Sequence, residues 1–364
     1  MITIPALLSP ARSGRMAGDP RRAIWCGPTY SSQPADIVPD VLALDEIRSL
    51  LDTDRLIDEI EAGFVLYSEG KVTVPPVGFL HFDDPPGDVH IKYGSITEDE
   101  HWVLKIASGF YDNPLLGIPP SDGVILVFSR RTGALELVLH DRCWLTDMRT
   151  AAAGAVAARH LAPSGVEQIG IIGTGVQARM QLEMLCSVVE ADSAMVWGRD
   201  EARVHAMIED LTKSPAIQAA GLTLHAAATV DELTEQSRLI VTATSARAPV
   251  LRADQVRAGT HITAMGSDDD GKQELEAALL GKADRVVADS VAQCSAYGEC
   301  LHAIEAGEIA KGDLLELGAV VAGPALGRTS DDQITVADLT GVAVQDIQIA
   351  KMVARARHET RKGR

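Results

Sequence analysis

The stretch from Gln168 to Ala178, Gln-Ile-Gly-Ile-Ile-Gly-Thr-Gly-Val-Gln-Ala, narrows the folds open to this chain more than any other. Its first half, Ile169 to Ile172, is a short apolar run of the kind buried on both faces of a parallel sheet. The run enters Gly173-x-Gly175-x-x-Ala178, after which Met180, Leu182, Leu185 and Val188 recur at helical spacing. Strand, glycine turn and helix in that order are the context in which this fingerprint signals a dinucleotide site. Gly173 allows the tight turn, Gly175 lets the backbone approach a pyrophosphate, and Ala178 keeps helix and strand close. The helix start, with Thr174, Val176 and Gln177, supplies N–H groups and a partial positive charge for phosphates. A tight turn that binds nothing would carry the same glycines but has no need of these flanks.

Beyond that turn the pattern alternates. Strands are expected at Ile169–Ile172, Ala194–Trp197, Leu222–His225, Leu239–Thr242, His261–Ala264 and Arg285–Ala288, with a further one over Ile334–Asp338. Helices are expected around 201–212, 230–235, 253–257 and 273–281, and a closing helix over Val344–Arg357. Such alternation predicts an α/β fold with a Rossmann-type doubly wound parallel sheet. Upstream the rhythm differs. Asp45 and Asp54 are placed as caps of two helices. Lys71–Val74, Val89–Tyr93, Trp102–Ile106, Val124–Phe128 and Leu135–Leu139 then follow as strands, the last two joined by a turn at Arg131-Thr132-Gly133. Strands without regular helices between them predict an antiparallel or mixed sheet, hence a second, α+β domain. The expected organisation is a loose arm over 1–36, a substrate and dimerisation domain over 37–163, and a dinucleotide domain over 164–339. Residues 340–364 are expected to return to the substrate domain. The Ala-rich helix Thr146–Leu161 and Pro163-Ser164-Gly165 mark the junction.

A formal net charge of −18 argues against nucleic acid or an anionic membrane as partner. The five cysteines, Cys26, Cys143, Cys186, Cys294 and Cys300, show neither CxxC nor metal-ligand spacing, which fits a reducing cytoplasm. Cys294 and Cys300 read as packing residues. His90, His140 and His302 are scattered, so no metal site is expected. No apolar run reaches spanning length, and Ile4 to Leu8 is too short for a signal-peptide core.

The end of the second parallel strand bears on coenzyme choice. An acidic side chain there takes the ribose hydroxyls of NAD, whereas a basic neighbour suits the 2′-phosphate of NADP. In Val196-Trp197-Gly198-Arg199-Asp200 a glycine holds the expected acidic position and Arg199 follows, favouring NADP(H) over NAD(H). The plainer alternative makes Arg199 a solvated turn residue and lets Asp200 serve the ribose.

Trp144-Leu145-Thr146-Asp147-Met148-Arg149-Thr150-Ala151-Ala152, the glycine turn, Thr242-Ala243-Thr244-Ser245 and Gly266-Ser267-Asp268-Asp269-Asp270-Gly271-Lys272-Gln273-Glu274-Leu275 occur in that order. Together they resemble the ornithine cyclodeaminase/mu-crystallin family over about residues 38 to 355. The resemblance implies a homodimer, with a small amino or imino acid bound in a cleft between the two domains. It implies that Arg149 holds the substrate α-carboxylate, a task its planar fork suits; the bland alternative pairs it with Asp147. It implies that Lys105 is the active-site lysine and Asp268 the catalytic carboxylate, with Thr244, Ser245 and Gly266 beside the coenzyme. A lysine inside the apolar strand Leu104-Lys105-Ile106 is costly unless paired, and burial would lower its pKa toward proton transfer. Asp269 and Asp270 read as solvated loop residues.

Two departures bear on substrate. Lys71 stands where cyclodeaminases carry an arginine, and Lys92 where ornithine cyclodeaminase has an acidic residue. A carboxylate there would welcome a second amine; an ammonium repels it. Lys71, Lys92, Lys105 and Arg149 as substrate-binding residues would suit an anionic molecule, although Lys92 also reads as an outward-facing strand residue. Three functions are therefore carried forward. The first is reduction of an α-imino acid or ketimine, or the reverse dehydrogenation. The second is a redox-neutral, ammonia-releasing cyclodeaminase, and the third a non-catalytic NADP-dependent ligand carrier of the mu-crystallin type.

Overall fold

Like charges seldom face one another across a β-ladder, because opposed side chains lie about 5 Å apart. Here Lys92 and Lys105 do so, and the fold is best followed from the sheet that holds them. The computed structural model describes residues 38–269 and 271–362; the arm expected over 1–36 and Asp270 lie outside them. The first sheet comprises β1 (Asp40–Ala43), β2 (Val72–Thr73), β3 (Gly78–Asp83), β4 (Pro86–Ile96), β5 (His101–Phe110), β6 (Ser121–Ser129) and β7 (Leu135–His140). Its order is β1-β7-β6-β5-β4-β2, with β3 pairing β4; β1 runs parallel to β7 and the other pairs are antiparallel. The expected turn is present, with Gly133 at φ +73°. One face, carrying Val103, Lys105, Ile125 and Val127, is buried.

Helices α1 (Leu44–Leu50), α2 (Leu56–Ser68) and α3 (Trp144–Leu161) accompany this sheet. The expected caps are displaced. Asp45 lies inside the first turn of α1, behind Ala43 at the cap position. The local side-chain cap before α2 is Asp52, which accepts the Asp54 N–H. Asp141 accepts the Leu145 N–H at 2.8 Å and so holds the start of α3.

The second sheet comprises β8 (Gln168–Ile172), β9 (Ser193–Trp197), β10 (Thr223–Ala226), β11 (Leu239–Thr242), β13 (His261–Ala264), β15 (Arg285–Ala288), β16 (Leu315–Glu316) and β17 (Thr335–Asp338). It is parallel throughout, in the order β10-β9-β8-β11-β13-β17-β15-β16. Helices α4 (Val176–Leu185), α5 (Glu201–Leu211), α6 (Pro215–Ala220), α7 (Val230–Gln236), α8 (Ala277–Lys282), α9 (Val291–Cys294), α10 (Glu299–Glu305) and α11 (Leu317–Ala322) connect its strands. Strand order reverses between β8 and β11, so the ligand crevice opens at their carboxyl ends. Two expectations here are corrected. Residues 253–257 form only a 3₁₀ turn over Ala253–Gln255. The first part of 273–281 is β14 (Gln273–Leu275), paired with β12 (Arg247–Leu251), so α8 starts later.

Helix α12 (Ala343–Lys362) follows β17 and returns to the first sheet. It packs on α2, α3, β4 and β5, and its residues from Ala343 to Ala354 are all buried. Helices α3 and α4 approach so closely that a Cβ on Gly154 would lie 1.9 Å from Gln181 Oε1. One apolar core consequently runs from Leu42 and Ile47 through Val156 and Leu161 to Ile169 and Val353. Residues from Val38 on form one compact unit.

Candidate active site

The glycine turn builds the first of two cavities. Gly173, at φ +133°, leaves no room for a side chain: a Cβ would lie 2.5 Å from the Ala243 carbonyl oxygen. Gly175 is different. Its backbone is extended, it occupies the cap position of α4, and a Cβ there would meet nothing within 4 Å. That open space belongs to a cavity of about 700 Å³ lined by Gly173, Thr174, Gly175, Arg199, Arg203, Thr244 and Ser245 among others. Its size suits a large ligand, and the α4 N-terminus has no side-chain cap of its own. Nothing in the protein requires a glycine at 175; a phosphate approaching the backbone would. These residues fit a dinucleotide.

Other expected coenzyme residues lie around this cavity. Ala178 is wholly buried, Val176 is exposed, and Gln177 donates through Nε2 to Asp147 O and Oδ1, each at 3.2 Å. Gly266 lies back from the cavity lining, its N–H given to Glu274 Oε2 at 2.7 Å. Glu274 also accepts from Thr242 Oγ1 at 2.8 Å and the Thr244 N–H at 2.6 Å. This buried carboxyl, its pKa raised by burial, pins the loops after β11 and β13.

The second cavity, about 150 Å³, has Gln177, two residues beyond Gly175, in its lining. Lys92, Asp147, Arg149, Met265, Asp268 and Gly341 help line it. Three cations cluster here, with Lys92 6%, Lys105 2% and Arg149 4% exposed. Although Asp147 and Asp268 also line the cavity, Lys105 and Arg149 share one carboxylate, Asp346 of α12. Its Oδ1 accepts from Lys105 Nζ and Arg149 Nε, both at 3.0 Å, while Gln345 Oε1 accepts from Arg149 Nη1 at 2.8 Å. Asp346 Oδ2 is buried with no hydrogen-bond partner among the described residues. Lys92 Nζ donates instead to the carbonyls of Gly341, at 2.6 Å, and Thr340, at 3.3 Å. Gly341 can approach only as glycine, since it sits at φ +85° and a Cβ would lie 2.8 Å from Arg149 Nη1.

Burial, with Lys105 and Arg149 nearby, lowers the Lys92 pKa to about 7, against the pull of Asp346 and Asp268. Burial and Arg149 also lower that of Lys105, with Asp346 opposing. For Asp346 burial works upward, but Lys105, Arg149 and Lys92 hold the carboxyl below its ordinary value. Asp268, its side chain 45% exposed, is held low by Lys272 at 2.7 Å against partial desolvation.

The structure thus brings Lys92, Lys105, Arg149 and Asp268 to one region. Arg149 pairs with Asp346, not with Asp147. Lys105 lies behind the cavity lining and Lys92 in it. Lys71 stays outside: it is exposed and paired with Glu69 at 2.7 Å, because it precedes β2 on the solvent side. Asp88, His90 and Asp269 approach one another within 4.8 Å; Asp88 is already engaged by Tyr111 and His90, and we read this group as a hydrogen-bonded cluster. Asp346, Gln345, Gly341 and Glu274 escaped the sequence reading. For Asp346 a signal existed, an acid within Ala-Val-Gln-Asp-Ile-Gln-Ile, where burial demands a partner.

A pH-dependent stability effect follows. The Lys92 pKa falls from 10.5 unfolded to about 7 folded, so above pH 7 the unfolded chain binds more protons and stability rises with pH until about 10.5. Below pH 7 the cost of burying the charge is complete, about 4–5 kcal/mol at 1.36 kcal/mol per unit. Lys92→Met removes that cost but orphans two carbonyls, at about 1–3 kcal/mol each. The two nearly cancel at pH 6, but the variant's stability relative to wild type is expected to fall by about 4 kcal/mol between pH 6 and pH 10, measured by urea unfolding. A difference independent of pH would contradict the buried charge.

The sequence profile of the ornithine cyclodeaminase/mu-crystallin family matches residues 37–361. The chain belongs to that family. Its relatives include an uncharacterized cyclodeaminase of Sinorhizobium fredii, 39% identical over 326 residues, covering 89% of this chain and 97% of that one. The iminosuccinate reductase of Paracoccus denitrificans, solved with NAD+, superposes with a TM-score of 0.79 at 32% identity, covering 88% of this chain and 97% of the other. An archaeal alanine dehydrogenase dimer with bound NAD gives a TM-score of 0.81 at 31% identity, covering 89% and 97%. This member of the ornithine cyclodeaminase/mu-crystallin family is accordingly an enzyme with a nicotinamide coenzyme, and both sheets fall within the shared fold.

Proposed function

We propose that this enzyme reduces the C=N bond of a small, anionic α-imino acid, or runs the reverse dehydrogenation. The observation that carries this reading is the 150 Å³ cavity with three buried cations at it, of which Lys105 and Arg149 share the Asp346 carboxylate and Lys92 is bonded to none. Fully ionised, Lys92, Lys105 and Arg149 against Asp346 and Asp147 leave a surplus of one positive charge, the Asp268–Lys272 pair being neutral, and an anionic molecule balances it. Arg149 anchors the α-carboxylate, Asp268 faces the nitrogen, and Lys92 leaves no place for the second amine of a diamino acid. When bound, the coenzyme supplies hydride to the imine carbon. The first-sheet half, with α12, holds the substrate, and the parallel sheet holds the coenzyme.

The coenzyme is proposed to be NADP(H). A side chain at Gly198 would start 2.7 Å from Thr174 Cγ2, which disfavours an acid there. Asp200 Oδ1 is engaged as the cap of α5, accepting from the Ala202 and Arg203 N–H groups. Arg199 and Arg203 both line the cavity and suit a 2′-phosphate. Arg199→Asp is expected to move the ratio of kcat/KM for NADPH over NADH toward NADH by at least tenfold, about 1.4 kcal/mol; an unchanged ratio removes the argument.

The enzyme is proposed to be a cytoplasmic homodimer. An antiparallel sheet face left to water is normally polar. Here Ile91, Trp102, Leu104, Leu126 and Phe128 are half-buried on the outer face and Tyr93 is exposed. The alanine dehydrogenase relative is a dimer.

The test is to mix purified protein with candidate imino acids and NADPH or NADH, following the reduced nicotinamide and ammonia. Stoichiometric coenzyme oxidation supports the proposal. Ammonia release from a diamino acid without net absorbance change replaces it with a cyclodeaminase, the activity named for the Sinorhizobium relative. Binding without turnover replaces it with a carrier.

A further inference from the structure

Within the imine-reducing reading just given, on which this inference rests, we propose that Lys92, and not Lys105, delivers the proton to the imine nitrogen. Lys105 then acts as a positioning residue through Asp346.

The two lysines are cross-strand neighbours with different partners. Lys105 donates to a carboxylate that also holds Arg149. Losing its proton would leave Asp346 with half of its neutralising charge, so the ion pair opposes that loss. Lys92 donates only to two neutral carbonyls, Gly341 O and Thr340 O. An ammonium has three N–H groups, and as a neutral amine Lys92 could still donate to one of these oxygens. Lys92 also lines the cavity, facing Asp268, whereas Lys105 does not line it.

The surroundings tune Lys92 from several elements. Lys105 of β5 and Arg149 of α3 repel its charge, while Asp346 of α12 and Asp268 of the β13–β14 loop attract it. Asp147 of α3 lines the same cavity. Behind Gly341, Asp289 accepts the Gly341 N–H at 2.6 Å. The balance leaves Lys92 near half-protonated at neutral pH, the range in which a general acid works best. An arriving carboxylate strengthens the ammonium form, so substrate binding loads the donor.

In the step itself an N–H bond of the Lys92 ammonium breaks, and its proton joins the lone pair of the imine nitrogen. Hydride from the coenzyme bonds the carbon, and the C=N π pair becomes the nitrogen lone pair. Lys92 is left as a neutral amine and regains a proton from water. The oxidised coenzyme and the amino acid are the products.

The test compares wild type with Lys92→Arg, Lys92→Ala and Lys105→Arg, using an imino acid that the wild type reduces. Coenzyme affinity, followed by the fluorescence of NADPH, reports that each variant is folded. Wild-type kcat/KM is expected to fall as pH rises through about 7. Lys92→Arg keeps the charge but cannot release the proton; kcat is expected to drop about 10²- to 10³-fold, with the alkaline fall removed. In Lys92→Ala, added small primary amines are expected to restore turnover, in an order set by amine pKa. Lys105→Arg is expected to raise KM and keep the fall. If Lys92→Arg retains the alkaline fall, or if amines leave Lys92→Ala unchanged, the proton assignment is overturned while imine reduction stands. If the wild type reduces no imino acid, both fall together.

Discussion

Asp346→Asn is expected to lower the stability of the enzyme by about 3–5 kcal/mol, the range for breaking a buried ion pair from one side. The substitution is nearly isosteric and opens no cavity, so the loss is electrostatic. Lys105 and Arg149, 2% and 4% exposed, would face a neutral amide. For a chain of this size the melting temperature falls by about 4–7 °C. The pH dependence gives a second readout. Against burial, Lys105 and Arg149 hold the Asp346 carboxyl below its ordinary value. A depressed carboxylate contributes stability that is complete above the unfolded pKa, near 3.9, and lost as pH falls through the folded one. The gap between wild type and variant should therefore be level between pH 5 and 7 and close below pH 4. At alkaline pH it should narrow again, because Lys105 in the variant can shed its proton. Calorimetry across this range decides the matter; equal melting temperatures at pH 6 would mean that Asp346 does not hold the two cations.

Gly175→Val is expected to leave the fold nearly untouched and to weaken coenzyme binding about 10³-fold. Its backbone, φ −79° and ψ −171°, is open to any residue, and a Cβ meets nothing within 4 Å. Valine is a poor helix cap, which costs about 1 kcal/mol. The added methyls stand in the space a pyrophosphate would enter. Losing two charge-assisted hydrogen bonds there amounts to about 3–6 kcal/mol, or two to four decades in affinity. Gly173→Ala is the control with the opposite signature. Its Cβ would press on the Ala243 carbonyl at 2.5 Å and φ is +133°, so it should destabilise the chain even without coenzyme. Isothermal titration with NADPH, beside thermal melts, separates the two glycines. Wild-type affinity in a folded Gly175→Val variant would rule out the phosphate approach.

The parallel half of the fold was the easier to read. Leu239–Thr242, His261–Ala264 and Arg285–Ala288 coincide with β11, β13 and β15. Such strands are buried on both faces, so they stand out as unbroken apolar runs between polar turns. The edges were harder. β3 is largely exposed, and β14 is three residues long, so neither shows a sustained period. Helix caps slipped by two positions: Asp52 takes the place expected of Asp54, and α1 starts after Ala43, ahead of Asp45.

At the site, Arg149, Lys105 and Asp268 were found through the family's motifs, and Lys92 through a departure from them. What could not be read was who faces whom. Nothing local distinguishes Lys71, which turns to Glu69 and water, from Lys92, which turns inward. The choice depends on the alternation of β4 and on α12 packing over it. Glu274 lay within a quoted motif, yet its three donors come from two other loops. Tertiary distance made these assignments, and a linear pattern carries none.

The pairing of Lys105 with Asp346 spans 241 positions. At about 5–20 residues per second, a ribosome adds the second partner some 12–50 s after the first. During that interval the nascent sheet has two facing ammonium groups and lacks the carboxylate that bonds Lys105. Its inner face therefore stays hydrated until α12 docks, and the first strands translated are among the last to become dry. A message truncated ahead of α12 would encode every strand of both sheets and still yield a polypeptide unable to close its substrate pocket.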